Sequence, residues 1–131
     1  MNFDSESNGT GLLPSSRPKT RLCDIAENGT RILAYTAGLD LDAFRSNVLR
    51  RDATERCILR ISEAATKLDS RAEELLPDHP WRRIRDVANV LRHLYDQVDA
   101  EILRDIVTKQ LPPLLADIER ILPDLPEDFE V

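Results

Sequence analysis

The chain has 131 residues and a formal net charge of −6, and 41% of its residues are hydrophobic and 32% charged. This size fits one domain with a single modest core. An aromatic share of 5% and only 4 glycines argue against an all-β fold, which needs aromatic or β-branched strands and many turn residues. No apolar run is long enough to cross a bilayer, and the N-terminus lacks the apolar segment of a secretory signal. We therefore expect a cytoplasmic protein with no membrane contact and with reduced cysteines.

The two ends of the chain differ in composition from its middle. Residues 1–19 are rich in serine, glycine, asparagine and proline, and such a segment cannot bury enough apolar surface to offset its ordering entropy. Residues 123–131 hold the acids Asp124, Glu127, Asp128 and Glu130 and no base. The composition predicts a disordered N-terminal arm, a domain over residues 20–122, and an acidic C-terminal tail.

The first half of the domain is predicted to form two helices, because its apolar residues recur at spacings of three and four. Thr20 can cap the first helix, and Gly38 is a stop signal. A short turn leads into the second helix, which is predicted from about Arg51 to Leu76. Pro77 ends it because proline cannot continue the hydrogen-bond pattern.

The second half is predicted to form two further helices. The third begins at Pro80, since proline fits the first helical position. The fourth follows Asp99 and continues to about Gln110. Pro112 and Pro113 cannot continue its hydrogen bonds, so the last helix is expected to be broken there. No segment alternates with period two, and the pattern predicts an all-α bundle of four main helices with the last one broken.

The segment from Pro80 to Tyr95 is unusual because it carries four arginines and one acid in an acidic protein. On a helix, one face of this segment would carry Arg85, Asn89, Arg92 and His93, and the apolar side chains would point the other way. Guanidinium binds phosphate through two parallel hydrogen bonds, and imidazole can take and give a proton near neutral pH. Cleavage of RNA needs little more than such groups, so we expect no metal and no other cofactor.

Three interpretations of this basic face remain open: a solvated face paired with Asp86 and Asp96, a surface for a partner protein, and a catalytic face. Residues two apart on a helix point about 200° apart, so His93 and Tyr95 cannot share one site on a regular helix. Either the helix loosens after Leu94 or a second subunit completes the site. We favour early termination of the helix together with a homodimer.

A signature in the third helix and four further segments in order resemble the HepT-like toxins within the HEPN group of helical proteins. In the third helix, His93-Leu94-Tyr95 is preceded by Asn89 and followed by Val98-Asp99, and it is similar to the His-any-Tyr signature of that family. The other family-like segments are Tyr35-Thr36-Ala37-Gly38-Leu39, Ile61-Ser62-Glu63-Ala64-Ala65, Pro80-Trp81-Arg82 and Leu111-Pro112. The resemblance extends from about Arg21 to Leu122.

The resemblance implies a four-helix bundle of HEPN type and a metal-independent endo- or exoribonuclease. Such a protein is the toxin of a type II-like or AMPylation-controlled toxin–antitoxin system, and an MNT-type nucleotidyltransferase is its antitoxin. In these systems the antitoxin can transfer AMP to the signature tyrosine, which corresponds to Tyr95. Family members form homodimers whose signature residues line a cleft, so the implied partners are RNA, the antitoxin and a second copy of the chain.

One departure from the family pattern affects the assignment of roles. The family usually has an arginine a few residues before the histidine, often directly before the asparagine, but Ala88 precedes Asn89 here. We therefore expect Arg92 to contact the phosphate with Arg85 in support. In the implied site His93 is the general base or acid, Asn89 positions the phosphate, and Tyr95 lines the cleft. The alternative is a non-catalytic helical partner of a nucleotidyltransferase that has lost nuclease activity.

Overall fold

The computed structural model describes residues 17–93 and 100–128. Within these ranges the α-helices are α1 (Pro18–Thr36), α2 (Leu41–Ser46), α3 (Val48–Leu68), α4 (Ser70–Leu75), α5 (Trp81–His93), α6 (Ala100–Asp105) and α7 (Leu111–Ile121). The described residues form no strand, and the predicted all-α class is confirmed. None of the described helices has the length and apolar character needed to cross a membrane. The predicted arm up to residue 16 and Tyr95 lie outside the described residues.

The centre of the bundle is the pair α1 and α3, which pack along much of their length. The end of α1 meets the start of α3, since Nη1 of Arg50 donates to the carbonyl oxygen of Tyr35 at 3.0 Å. On the other side of α1, Gly29 allows α7 to approach closely. A Cβ atom at this position would lie 2.5 Å from a methyl carbon of Leu115, which is closer than carbon atoms can pack. The glycine therefore serves helix packing in the interior of α1.

The first helix begins at Pro18, earlier than the cap predicted at Thr20. The carboxylate of Asp128 accepts hydrogen bonds from the backbone N–H groups of Lys19 at 3.1 Å and Thr20 at 2.7 Å. Nζ of Lys19 also pairs with Glu127 at 2.9 Å. The first N–H groups of a helix have no partner within it and attract negative charge, so the acids of the C-terminal segment bind there. Burial raises the pKa of Asp128, but the hydrogen bonds from Thr20 and Lys19 outweigh it and leave this pKa below its ordinary value.

The predicted second helix over residues 51–76 is wrong in one respect, because it is interrupted at Asp69. The backbone of Asp69 has φ = 51°, and aspartate adopts such positive values more readily than most residues. Leu68 therefore ends α3, and α4 begins as a separate helix at Ser70. The apolar spacing continues through the interruption, so periodicity alone does not reveal it.

The prolines near the end of the domain do not stop the chain from being helical. A π-helical segment, Ile106–Gln110, joins α6 to α7, and Pro112 and Pro113 lie in the first turn of α7. The N–H groups of a first turn need no helical partner, so proline is tolerated there. The sequence predicts a break at Pro112-Pro113. In the structure the irregular segment is the π-helix Ile106–Gln110, which lies just before these prolines.

Both cysteines are free thiols, as the sequence predicts. Cys57 is buried in the core beside α1, whereas Cys23 is exposed. Partial burial raises the pKa of the Cys23 thiol, so at neutral pH it is less ionised than an ordinary cysteine.

Candidate active site

The helix α5 is fixed to the bundle by its apolar side. Trp81 at its start is 1% exposed, and Nε1 of its ring donates to the carbonyl oxygen of Leu76 at 2.7 Å. Leu91 is also buried, and Ile84 and Val87 are half-buried against the core. The opposite side of α5 therefore faces solvent, and the buried apolar side chains fix the position of the helix on the core.

The solvent-facing side of α5 carries a connected set of polar side chains at its C-terminal end. Asn89, Arg92 and His93 are all exposed. Nδ2 of Asn89 donates to Asp86 at 3.2 Å, and Nη2 of Arg92 donates to Oδ1 of Asn89. Nδ1 of His93 lies 2.7 Å from the backbone carbonyl oxygen of Asn89. The structure therefore brings three of the predicted site residues together around Asn89; we call Asn89, Arg92 and His93 the α5 cluster.

The contact of His93 with Asn89 determines which ring nitrogen can act as a base. A carbonyl oxygen only accepts hydrogen bonds, so Nδ1 must carry the hydrogen. In the neutral ring Nε2 is then the unprotonated nitrogen and can accept a proton from a bound molecule. The hydrogen bond to Asn89, one helical turn earlier, thus selects the tautomer in which Nε2 is unprotonated, as general-base chemistry at Nε2 requires.

Arg85 lies on the same face of α5, but the structure places its guanidinium group in a different environment. It donates to both carboxylate oxygens of Glu73, from Nη1 at 3.0 Å and also from Nη2. It also donates to the backbone carbonyls of Asp69 at 2.8 Å and Ala65 at 3.3 Å. Ala65 lies in the last turn of α3 and Asp69 at the interruption, and their carbonyl oxygens also accept from the backbone N–H groups of Asp69 at 3.2 Å and Ala72 at 3.0 Å. Arg85 therefore holds the junction between α3 and α4 against α5.

The ion pair with Arg85 changes the pKa of Glu73. The hydrogen bond from Arg85 lowers the pKa of the Glu73 carboxyl below its ordinary value, against a smaller opposing effect of burial. The pair thus remains ionised at neutral pH. Most donors of the Arg85 guanidinium are already used, whereas among the described residues Arg92 donates only to the neutral amide of Asn89.

Ala88, where the family pattern has arginine, is half-buried and one helical turn before Arg92. Residues four apart share a helix face, and helical side chains lean toward the N-terminus of the helix. The contact of Arg92 with Asn89, three residues earlier, has this direction. Position 88 is thus occupied by a small side chain on the face of α5 that also carries Arg92.

The second histidine of the chain serves to connect helices. Nε2 of His79 lies 2.7 Å from Oδ2 of Asp117 on α7, and the ring packs edge-on against Trp81 with centroids 6.2 Å apart. The hydrogen bond to His79 lowers the pKa of Asp117, with Arg120 contributing in the same direction. The sequence pattern does not predict this contact, because His79 and Asp117 lie 38 residues apart in the chain.

An apolar cavity of about 290 Å³ lies beneath α5. Its apolar lining comes from several helices and includes Ile32, Ile58, Ile61, Val87 and Leu114. Val90 and Ile102, which also line it, are large apolar residues that are 40% and 41% exposed. An apolar surface thus adjoins the α5 cluster, because Val90 directly follows Asn89.

The described residues offer no group of three or more histidine, cysteine, aspartate or glutamate side chains that could hold a metal ion. The chemistry available in the α5 cluster is that of one imidazole, one guanidinium and one carboxamide.

Comparison with known proteins decides the family. The family model described as "Ribonuclease HepT-like" matches residues 25–121. The chain belongs to this family. The membership confirms the resemblance seen in the sequence and the ribonuclease class of enzyme that it implies.

Relatives of the chain carry similar names. The chain is 29% identical over 101 residues to "Putative RNase MJ1380" of Methanocaldococcus jannaschii, covering 77% of this chain and 93% of that protein. It is 28% identical over 103 residues to "Probable ribonuclease HepT" of Thermococcus cleftensis, covering 79% of this chain and 94% of that protein. No solved structure matches the chain.

Proposed function

We propose that this HepT-like protein is a ribonuclease toxin that cleaves RNA with its own side chains and without a metal. The observation that carries the proposal is the hydrogen bond between Nδ1 of His93 and the carbonyl oxygen of Asn89, which leaves Nε2 without a hydrogen-bond partner among the described residues. The Arg92 guanidinium lies on the same exposed face and also contacts Asn89. A base and a cation on one exposed face are what transfer of a phosphoryl group within RNA requires.

The reaction follows from the roles of these groups. Nε2 of His93 takes the proton of a ribose 2′-hydroxyl, and the 2′-oxygen forms a bond to the adjacent phosphorus. The bond from phosphorus to the 5′-oxygen breaks, and that oxygen takes a proton from an acid. The products are a 2′,3′-cyclic phosphate and a 5′-hydroxyl. Arg92 stabilises the negative charge that develops on the phosphoryl oxygens, and Asn89 holds Arg92 in position.

A homodimer would supply the acid and complete the site. The apolar residues Val90 and Ile102 are exposed beside the α5 cluster, and a second copy of the chain packed there would remove them from water. Packing of this kind would bring two α5 helices and two His93 side chains to one cleft. One imidazole would act as the base and the other, protonated, as the acid.

An MNT-type nucleotidyltransferase is proposed as the antitoxin, and transfer of AMP to Tyr95 as its means of control. Tyr95 follows His93 by two residues. An adenylyl group there adds a negative phosphate that can pair with the guanidinium of Arg92 and a bulky nucleoside that fills the cleft. Both effects would exclude RNA. We expect the pair to act in the cytoplasm, where its RNA substrate is found.

The test is cleavage of RNA by the purified protein in the presence of EDTA. We expect 2′,3′-cyclic phosphate ends, and His93→Ala should lower the cleavage rate by roughly 100-fold or more, which is the usual contribution of a general base. Arg45→Ala is the matched control, because Arg45 lies on α2, is exposed, and within the described part of the chain its side chain pairs only with Asp42. Full activity of His93→Ala would overturn the proposal.

A second candidate function is a non-catalytic partner of the nucleotidyltransferase. It is favoured by the alanine at position 88 and by the ion pair of Arg85 with Glu73. Of the two candidate site arginines, these leave only Arg92 for the phosphate. This candidate predicts a stable complex and an AMP adduct on Tyr95, observed by mass spectrometry. It also predicts normal growth of cells that express the chain alone, whereas an active toxin would arrest them.

A further inference from the structure

A polar groove of about 220 Å³ lies between α1 and α3, away from the apolar cavity. It is lined by Arg21, Asp24 and Asn28 of α1 and by Arg60, Glu63, Ala64 and Lys67 of α3. On α3, Arg60 points about 200° away from Ile58, which lines the cavity. The groove is therefore separate from the surface on which α5 packs.

Two polar atoms in this groove are buried and have no hydrogen-bond partner in the described part of the chain. Asn28 is 5% exposed, and its Nδ2 donates to the carbonyl oxygen of Asp24 at 2.9 Å, but its Oδ1 accepts nothing. Nε of Arg21 donates to nothing, while the end of its guanidinium group lies 3.7 Å from Asp24. One acceptor and one charged donor in the same groove are thus unsatisfied. Buried groups of this kind destabilise a protein unless something binds them.

The groove also has positive charge that the described residues do not neutralise. Lys67 is paired with Glu63 at 3.2 Å. Arg60 and Arg56, one helical turn apart on α3, are exposed, and neither forms an ion pair with a described residue. Like charges at this spacing repel each other and lower helix stability. Arg60 in the groove and Arg56 one turn before it are thus two exposed cations without an acidic partner among the described residues, on a protein of net charge −6, and this favours an anionic ligand.

We propose that this groove binds the sugar–phosphate backbone of RNA. Arg60 and Arg56 contact successive phosphates, since guanidinium matches phosphate geometry. After rotation of its carboxamide, Asn28 accepts a hydrogen bond from a ribose 2′-hydroxyl, the group by which a protein distinguishes RNA from DNA. The proposal rests on the proposed ribonuclease function and adds a second contact region for its substrate.

The groove and the α5 cluster are connected through α3. Oγ of Ser62 donates to the carbonyl oxygen of Arg85 at 2.8 Å, so α5 packs on the turn of α3 that also carries Arg60 and Glu63. Axes of packed helices lie about 10 Å apart. We infer that a single RNA strand bound in the groove passes over α3 toward the C-terminal end of α5, where His93 lies about 12 Å beyond Arg85 along the helix.

The salt dependence of RNA binding tests the proposal directly. The full chain carrying His93→Ala, which prevents cleavage, is titrated with a single-stranded RNA at several salt concentrations. Each lost phosphate contact reduces the slope of log affinity against log salt by about 0.7, so adding Arg56→Ala and Arg60→Ala should reduce it by about 1.4. Adding Arg45→Ala, which also removes an exposed arginine from a helix, should leave the slope unchanged. Equal slopes for the double substitution and this control would overturn the proposal.

The contribution of Asn28 is tested with RNA and DNA of the same sequence. We expect the His93→Ala protein to bind the RNA more tightly, and Asn28→Ala to reduce this preference by about fivefold, which is the effect of one hydrogen bond. Thermal unfolding shows whether Asn28→Ala is folded, and if it is not, the arginine substitutions decide the question alone. An unchanged preference in a folded Asn28→Ala protein would refute the role of the 2′-hydroxyl.

The outcomes separate this inference from the proposed function. If the wild-type chain cleaves RNA but the double substitution leaves the salt slope unchanged, the groove is not a binding site and the ribonuclease function stands. If the chain does not cleave RNA and the slope still falls, the groove binds RNA and the proposed catalytic function fails.

Discussion

Arg85 and Arg92 lie seven residues apart on one face of α5, but their guanidinium groups have very different surroundings. Arg85 is half-buried and donates to Glu73 and to two backbone carbonyls. Arg92 is exposed and donates to the carboxamide of Asn89. A guanidinium with satisfied donors holds helices together, and one with free donors can bind a phosphate. Contacts with the neighbouring helices, and not the position on α5, therefore determine whether an arginine side chain links helices or keeps donors for a ligand.

The largest expected difference between the two arginines is in catalysis. We expect Arg92→Ala to reduce the rate of RNA cleavage by about 100-fold, because removal of one donor to a developing charge has an effect of this order. The midpoint of thermal unfolding should stay close to that of the wild type, since the Arg92 side chain is exposed. Cleavage assays and thermal unfolding of the same preparation measure the two effects.

Restoring the family arginine provides the control for this experiment. If Arg92 replaces the residue missing at position 88, then Ala88→Arg should recover much of the activity in Arg92→Ala protein. In the wild-type background the same substitution should change the rate little. Failure of the rescue in a folded protein would show that Arg92 has some other role.

A smaller effect, on stability, is expected for Arg85→Ala. This substitution leaves the Glu73 carboxylate without the guanidinium and removes one of the hydrogen bonds to each carbonyl of Ala65 and Asp69. It should lower the free energy of unfolding by about 1–3 kcal/mol. Arg85→Lys should recover only part of the lost free energy of unfolding, because an ammonium group cannot form two parallel hydrogen bonds with the Glu73 carboxylate. Urea unfolding measures the change. If cleavage falls as steeply as for Arg92→Ala while stability is unchanged, Arg85 belongs to the catalytic site.

The smallest expected effect concerns pH. The pKa of Glu73 is lowered in the folded protein, so its contribution to stability is fully present above its ordinary value of about 4.3 and is lost as the pH falls through the lowered value. Glu73→Gln should therefore reduce the loss of stability in this acidic range and have a modest effect near neutral pH. Asp42→Asn is a suitable control, since Asp42 pairs with Arg45 on the surface. Identical acid unfolding of wild type and Glu73→Gln would contradict the assignment.

Much of the fold could be predicted from the sequence, because helical periodicity is a local property. The spacing of apolar residues places α1, α3 and α5 within a few residues of their observed positions. The same periodicity predicts that Asn89, Arg92 and His93 share the solvent side of α5, and the structure confirms that these three lie together. The tautomer of His93 is set by a contact one turn away, so it too depends on local geometry.

Other features depend on contacts between residues far apart in the chain. The interruption at Asp69 does not disturb the apolar pattern, and the arginine that donates to its carbonyl comes from another helix. Asp128 binds the start of α1 although the two lie at opposite ends of the described chain. The unsatisfied oxygen of Asn28 becomes visible only once α1 and α3 are packed together.

The sequence by itself determined the helical class, the family and the residues of the α5 cluster, since each is expressed in spacing or motif along one segment. Only the tertiary structure decided which arginine holds the bundle and which remains available to a phosphate. The reason is physical: the state of a guanidinium group depends on the acids and carbonyls around it, and packing of distant segments brings those together.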